Sequence, residues 1–83
     1  MANNLAFYRA KAGLNQRELG EKIGLGDASI SFFEHSTLSV KNAEKLAKVL
    51  NVNIIALLGS DVLRVLPKNE EEKQILIDII KEL

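Results

Sequence analysis

The reactive side chains of this chain are too few for catalysis or for metal binding. Its 83 residues include no Cys and a single His, His35, which excludes disulfides, cysteine nucleophiles, thiolate zinc sites and sites with several histidines. No carboxylate pair placed for acid–base work, no nucleophile beside a base and no glycine-rich phosphate loop occurs in the sequence. We therefore expect neither an enzyme nor a bound cofactor or metal.

The charged side chains balance over the whole chain but are spread unevenly. Residues 1–58 hold seven Lys and Arg against five Asp and Glu, a net charge of +2. Residues 59–83 hold four against six, a net charge of −2. The net charge of zero is thus the sum of a mildly basic region and a mildly acidic tail.

The length and hydropathy of the chain indicate one small domain outside the membrane. A chain of 83 residues has room for a single core, and no apolar run approaches the ~20 residues needed to span a bilayer. The start, MANNLAFYRAKAG, lacks the basic and apolar regions of a secretory signal. We expect a soluble cytoplasmic protein with no membrane partner.

Short helices separated by caps and glycines are predicted to position the polar residues. Apolar spacing predicts five helices within residues 5–58. The clearest start is Asn15, followed three positions later by Glu18, which is the capping-box pattern. The broadest apolar stripe belongs to the fourth helix, after Ser39, and consists of Val40, Ala43, Leu46, Ala47 and Leu50.

The last quarter of the chain has a different pattern. Residues 61–66 include four branched apolar side chains, Val62, Leu63, Val65 and Leu66, and precede Pro67. They suit an extended segment or another helical turn, and we expect the extended form. Asn69 is predicted to cap a final helix with three glutamates in its first turn. One side of that helix carries Ile75, Leu76, Ile79, Ile80 and Leu83.

The most informative stretch is QRELGEKIGLGDASISFF, residues 16–33. Two short helices joined at Gly24 must cross steeply, so a small residue is needed where they approach, and Gly20 supplies it. The apolar residues expected to fill the wedge between the helices are Leu19, Ile23, Leu25, Ile30 and Phe33. This is helix-turn-helix patterning, in which the second helix enters the DNA major groove.

Residues 5–58 resemble the helix-turn-helix domain of phage lambda-type repressors and their relatives, the XRE family. The resemblance is carried by GLNQRELGEKIGL, SISFFE and SVKNAEKLAKVLNVN. It implies an all-α fold: a five-helix lambda-repressor-like DNA-binding domain at residues 1–59, with helices two and three as the reading motif, and an additional C-terminal helix within residues 60–83. It also implies an ion pair between Arg9 and Glu34.

The resemblance further implies which positions meet DNA. Gln16 takes the place of a residue beside the DNA backbone, a role that we favour over that of a simple helix-start residue. The first half of helix three maps onto base-reading positions, and the following loop with the start of helix four maps onto phosphate contacts, where free backbone N–H groups suit an anion. The expected DNA-binding residues are Gln16, Arg17, Asp27, Ala28, Ser29, Ser31, Phe32, His35, Thr37, Lys41 and Asn42.

Helix three departs from the family pattern in its charge. Its sequence, Asp27–Ser36, contains no Lys or Arg, and Asp27 and Phe32 stand where relatives often carry Arg, Gln or Lys. Asp27 could accept a hydrogen bond from cytosine N4 or cap the helix. Phe32 could pack on a thymine methyl group or against protein.

The apolar residues of the tail exceed what a five-helix domain needs. They could fold back onto their own domain or pair with a second chain; we favour a homodimer through residues 60–83, since apolar patches rarely stay uncovered and twofold assembly is the commonest. The predicted interface comprises Val62, Leu63, Val65, Leu66, Ile75, Leu76, Ile79, Ile80 and Leu83.

Together these features predict a sequence-specific DNA-binding transcriptional regulator of the nucleoid. We favour a repressor that binds a palindromic operator as a homodimer, so that its partners are double-stranded DNA and a second copy of itself. The alternative is a protein-interaction module, such as an antitoxin or anti-repressor, that uses the same fold chiefly to bind a protein partner.

Overall fold

The computed structural model describes residues 3–81, and over that range it is all-helical with no strand. The α-helices are α1 (Leu5–Lys11), α2 (Gln16–Ile23), α3 (Asp27–Glu34), α4 (Val40–Leu50), α5 (Ile54–Leu58) and α6 (Glu70–Lys81). A 3-10 helix, Gly59–Arg64, follows α5 directly. The predicted all-α class, with five helices and an additional C-terminal helix, is confirmed.

Polar caps fix the starts of four helices, including the two predicted at Asn15 and Asn69. Asn15 and Glu18 form the reciprocal capping box of α2, with bonds of 2.7 Å and 2.9 Å between side chain and backbone. The side chains of Ser39, Asn53 and Asn69 accept bonds from backbone N–H groups in the first turns of α4, α5 and α6. Because a cap satisfies donors that the helix itself cannot, each start is defined locally.

Helix α4 forms the largest part of the core. All five residues of its predicted stripe are buried. Four of them, Ala43, Leu46, Ala47 and Leu50, belong to one core cluster with Leu5, Leu19, Ile30, Leu57 and Leu58 from the surrounding helices. Among the described residues no single helix is long and apolar enough to cross a membrane. Val40–Leu50 and Ile54–Arg64 reach that length and hydropathy only together, and they are bent by 113°.

The crossing of α2 and α3 depends on two glycines. A Cβ atom on Gly20 would lie 2.5 Å from the carbonyl oxygen of Leu25, so only glycine allows this approach. Gly24 has a φ of 76°, in the left-handed region. The predicted wedge role of Leu25 is wrong, since its side chain is 40% exposed; its backbone, bonded to the carbonyl of Gly20 at 2.8 Å, fills the space instead.

The prediction of an extended segment at residues 61–66 is wrong for most of its length. Gly59–Arg64 is a 3-10 helix, and Val65 is the first residue with extended backbone angles (φ −80°, ψ 122°). Leu58 and Asp61, three residues apart, are both 1% exposed. Because a 3-10 helix has three residues per turn, Leu58 and Asp61 both face the interior of the protein. Leu63 faces solvent and is 91% exposed.

Helix α6 packs against α4 with only part of its apolar side. Ile75, Leu76 and Ile79 are half-buried, whereas Ile80 is 64% exposed. Leu83, predicted to continue this side, lies outside the described residues. Within one chain, therefore, α6 folds back onto its own domain and leaves apolar surface uncovered.

Candidate nucleic-acid interface

A buried polar network joins the first three helices. Arg9 on α1 donates from Nε to Oε2 of Glu34 at the end of α3 over 2.6 Å. Gln16, the first residue of α2, donates from Nε2 to the other oxygen, Oε1, over 2.9 Å. The side chain of Glu34 is 5% exposed, so its charge is neutralised and both oxygens are bonded inside the protein. The network fixes α3 against α1 and α2.

The C-terminal end of α3 is held by a residue that sequence reasoning missed. Asn3 donates from Nδ2 to the carbonyl oxygens of Phe33 and Ser36, at 2.9 Å and 2.8 Å. Its Oδ1 accepts from the N–H of Leu5 at 3.0 Å, which ties the start of α1 to the same point. An Asn before a helix signals a local cap, but nothing in its spacing points to a helix thirty residues away.

Helix α3 turns its apolar residue inward and a mostly polar face outward. Ile30 is fully buried, and the predicted contact residues Asp27, Ala28, Phe32 and His35 are exposed. Ser29 and Ser31 are half-buried at the edges of that face. The face is therefore open to a ligand, and Phe32, 67% exposed, is its largest apolar group.

The alternative role of Asp27 as the helix cap is wrong. Gly26 is the N-cap of α3 and Asp27 is its first helical residue, with no side-chain cap hydrogen bond. The Asp27 carboxylate still suits the positive end of the helix dipole. At the other end, the Nδ1 atom of His35 lies 2.8 Å from the carbonyl oxygen of Ser31, so the imidazole closes the last turn of the helix.

The start of α4 is occupied by groups of the protein itself. The N–H of Lys41 donates to Oε2 of Glu72 over 3.1 Å, and the N–H of Asn42 donates to Oγ of Ser39 over 3.2 Å. The Nζ atom of Lys41 lies 3.5 Å from Oε1 of Glu71. The expectation of free N–H groups at this helix start is therefore wrong: Glu72, distant in sequence, supplies the anion.

The remaining predicted contact residues lie on the surface. Arg17 is 80% exposed and its Nε atom is 4.0 Å from Oε2 of Glu21 on the same helix. Thr37, in the loop after α3, is exposed as well. The structure thus brings Gln16 to the end of α3 and Lys41 to the first turn of α6, while Arg17 and Thr37 face solvent.

A groove that sequence reasoning did not anticipate runs between α6 and the α4–α5 pair. It has a volume of 680 Å³, and its apolar lining includes Val52, Ile54, Ile55, Ile75 and Ile79. Glu44, Lys48 and Asp78 stand in the same lining. The groove depends on how α6 docks against α4 and α5, so the apolar pattern of each helix alone could not predict it.

Comparison with known families agrees with this geometry. A family model described as Helix-turn-helix matches residues 5–57, which is more than half of the chain and spans α1 to α5. No curated protein and no solved structure gives a significant match. The matched range contains the α2–α3 pair, the Gly24 turn and the buried Arg9–Glu34 ion pair. The chain therefore belongs to the helix-turn-helix family, as an XRE-like member of these DNA-binding regulators.

Proposed function

We propose that this chain is a sequence-specific transcriptional repressor that binds a palindromic operator as a homodimer and blocks transcription by occupying the promoter. The observation that carries the proposal is the outward face of α3, with exposed Asp27, Ala28, Phe32 and His35, on a helix that a buried ion pair holds rigidly. A recognition helix must reach base edges from a fixed support.

The contact residues divide into base-reading and backbone groups. Asp27, Ala28, Ser29, Ser31 and Phe32 would face base edges, whereas Gln16, Arg17, His35, Thr37, Lys41 and Asn42 would meet phosphates. Gln16 can serve both protein and DNA, because Nε2 carries two hydrogens and Glu34 uses one of them. A second hydrogen remains for a phosphate oxygen.

Site selection from random DNA tests this assignment. The proposal predicts that the selected sites contain two inverted half-sites about 34 Å apart, one helical turn. Asp27→Ala or Ser29→Ala should change the preferred bases, whereas Lys41→Ala should weaken binding to all sequences alike. If Asp27→Ala left the selected sequence unchanged, the base-reading role of Asp27 would be wrong.

The homodimer is proposed to form through residues 60–83. Three large side chains in this segment are strongly exposed within one chain: Leu63 at 91%, Leu66 at 77% and Ile80 at 64%. Apolar surface of this kind favours a self-complementary contact. The proposed interface comprises Val62, Leu63, Val65, Leu66, Ile75, Leu76, Ile79, Ile80 and Leu83, of which the half-buried members Val65, Ile75, Leu76 and Ile79 would contribute their outer edges.

Sedimentation equilibrium at tens of micromolar tests the dimer. We expect a dimer for the unchanged chain and a monomer for Leu63→Lys, since a buried unpaired ammonium group is costly in an interface. Phe7→Lys is the matched control, because Phe7 is also strongly exposed (61%) but lies on α1, outside the proposed interface. A monomeric unchanged chain would contradict the dimer. If Leu63→Lys and Phe7→Lys had the same oligomeric state, the proposed location of the interface would be wrong.

A second candidate function is a protein-interaction module such as an antitoxin or anti-repressor. The observation that favours it is the exposed Phe32 on a helix without Lys or Arg, since exposed aromatic side chains often anchor protein interfaces. This candidate predicts no affinity for DNA at low salt. It also predicts that Phe32→Ala abolishes a protein contact while leaving the fold unchanged.

A further inference from the structure

Two carboxylates in the first turn of α6 contact the backbone N–H and the ammonium group of Lys41. The carboxylate of Glu72, 4% exposed, accepts from the N–H of Lys41 and, through its other oxygen, from the N–H of Lys68 at 3.0 Å. Beside it, the carboxylate of Glu71 pairs with the ammonium group of Lys41 at 3.5 Å. Two neighbouring glutamates therefore meet one residue at the start of α4.

Lys41 is the first Lys or Arg after α2. No Lys or Arg lies between Lys22 and Lys41, so the recognition helix and its following loop have no other Lys or Arg with which to attract phosphate. A carboxylate oxygen and a phosphate oxygen carry the same sign of charge and accept from the same donors. The N–H of Lys41 cannot donate to both at full strength.

We infer that the acidic first turn of α6 competes with DNA phosphate for the start of α4, so that the docked helix weakens DNA binding. This inference rests on the proposed DNA-binding function. It assigns to Glu71 and Glu72 an autoinhibitory role, in which they act as an internal substitute for the phosphate. DNA binding and docking of this turn then exclude each other at Lys41.

The way α6 is attached permits its first turn to leave. The core cluster of buried residues takes its members from residues 5–58, and none of those described belongs to α6. The apolar side of α6 is only half-buried, at Ile75, Leu76 and Ile79. Release of the turn breaks one hydrogen bond, from the N–H of Lys41 to Glu72, and one exposed ion pair. The bond from the N–H of Lys68 to Glu72 lies within the released segment, and the helix-turn-helix unit keeps its core.

The test compares two isoelectric variants of the full chain, Glu71→Gln and Glu70→Gln. Glu70 stands one position earlier, is exposed and forms no ion pair with another described residue, so it controls for net charge. Binding to a random-sequence duplex is measured by fluorescence anisotropy at low salt. We expect Glu71→Gln to bind about two- to fivefold more tightly and Glu70→Gln to change affinity less than about 1.5-fold.

The same two substitutions are then made in a Lys41→Gln background. If Glu71 acts through Lys41, its gain in affinity disappears there, because the pair no longer exists. A gain that persists would reflect general repulsion and would overturn the inference. The double variant Glu71→Gln/Glu72→Gln should bind about tenfold more tightly than the unchanged chain. Thermal melts monitored by circular dichroism establish whether this variant remains folded. If it does not, the single variant Glu71→Gln is used for the test.

The outcomes separate this inference from the function on which it rests. Equal affinities of Glu71→Gln and Glu70→Gln, with clear binding by the unchanged chain, overturn the autoinhibitory role and leave the DNA-binding proposal intact. Binding by neither the unchanged chain nor any variant overturns both. Binding that appears only when Glu71 and Glu72 are replaced supports both.

Discussion

Residues 5–58 enclose a core of buried apolar side chains, whereas the apolar side chains of residues 59–81 are all half-buried or exposed. Leu5, Leu19 and Ile30 are fully buried in the helix-turn-helix unit, while Leu63 and Ile80 in the C-terminal segment are largely exposed. The polar contacts differ in the same way. The Arg9–Glu34 pair is enclosed, and the Lys41–Glu71 pair is more than half exposed on both sides.

This difference indicates that the two regions serve different purposes. A closed core with a buried ion pair gives one fixed arrangement of α2 and α3, which reading of DNA requires. A segment with partly covered apolar groups and an exposed ion pair to its neighbour can change partners at smaller cost than a closed core can. This contrast supports the proposals that the first region serves recognition and that the second serves assembly and control.

The largest expected effect comes from breaking the buried network of the first region. Arg9→Ala leaves the enclosed carboxylate of Glu34 without its cation, and loss of one member of a buried pair destabilises a protein by about 3–5 kcal/mol. Urea denaturation followed by circular dichroism measures this change. Lys11→Ala, on the exposed side of the same helix, is the control and should change stability by less than about 0.5 kcal/mol. Equal effects would show that the network contributes no special stability.

A matched pair of truncations tests the contrast in burial directly. Leu46→Ala, in the core at 1% exposure, should lower the free energy of unfolding by about 2–4 kcal/mol. Ile80→Ala, 64% exposed, should change it by less than about 0.5 kcal/mol in a monomer. Both are measured by urea denaturation at low protein concentration. A large loss for Ile80→Ala under these conditions would place α6 in the core and remove the distinction between the regions.

A smaller effect is expected at the helix crossing. Gly20→Ala places a Cβ atom where only 2.5 Å separates it from the carbonyl oxygen of Leu25, and forcing the helices apart should cost about 1–3 kcal/mol. Gly26→Ala is the control, because a Cβ atom there meets no atom within 4 Å. The measurement is the shift in melting temperature. An unchanged melting temperature for Gly20→Ala would contradict the close approach of α2 and α3.

Much of the helix-turn-helix unit could be predicted because its signals are local. The capping box of Asn15 and Glu18, the stripe on α4 and the left-handed turn at Gly24 each depend on residues within a few positions of one another. Arg9 and Glu34 are far apart in sequence, and only the family resemblance brought them together.

The C-terminal segment was harder to predict because its contacts are long-range. The apolar residues of 61–66 have no clear period and suit a strand and a 3-10 helix equally well. The 3-10 helix places the charged Asp61 in the interior at 1% exposure, a burial that the local pattern does not predict. The neighbouring sequence predicts Glu72 only as a carboxylate in the first turn of α6. That it also bonds the N–H of Lys41 depends on how two helices dock, which no local pattern records.

Binding to random-sequence duplex DNA as a function of salt tests the central claim, that residues 5–58 recognise DNA, most directly. We expect measurable affinity at low salt, with log K falling linearly against log salt by roughly 0.9 for each phosphate neutralised. Lys41→Gln should make the slope of log K against log salt shallower by about the contribution of one phosphate. Absence of binding at low salt, by the unchanged chain and by Glu71→Gln/Glu72→Gln alike, would contradict the account and favour a protein-interaction module.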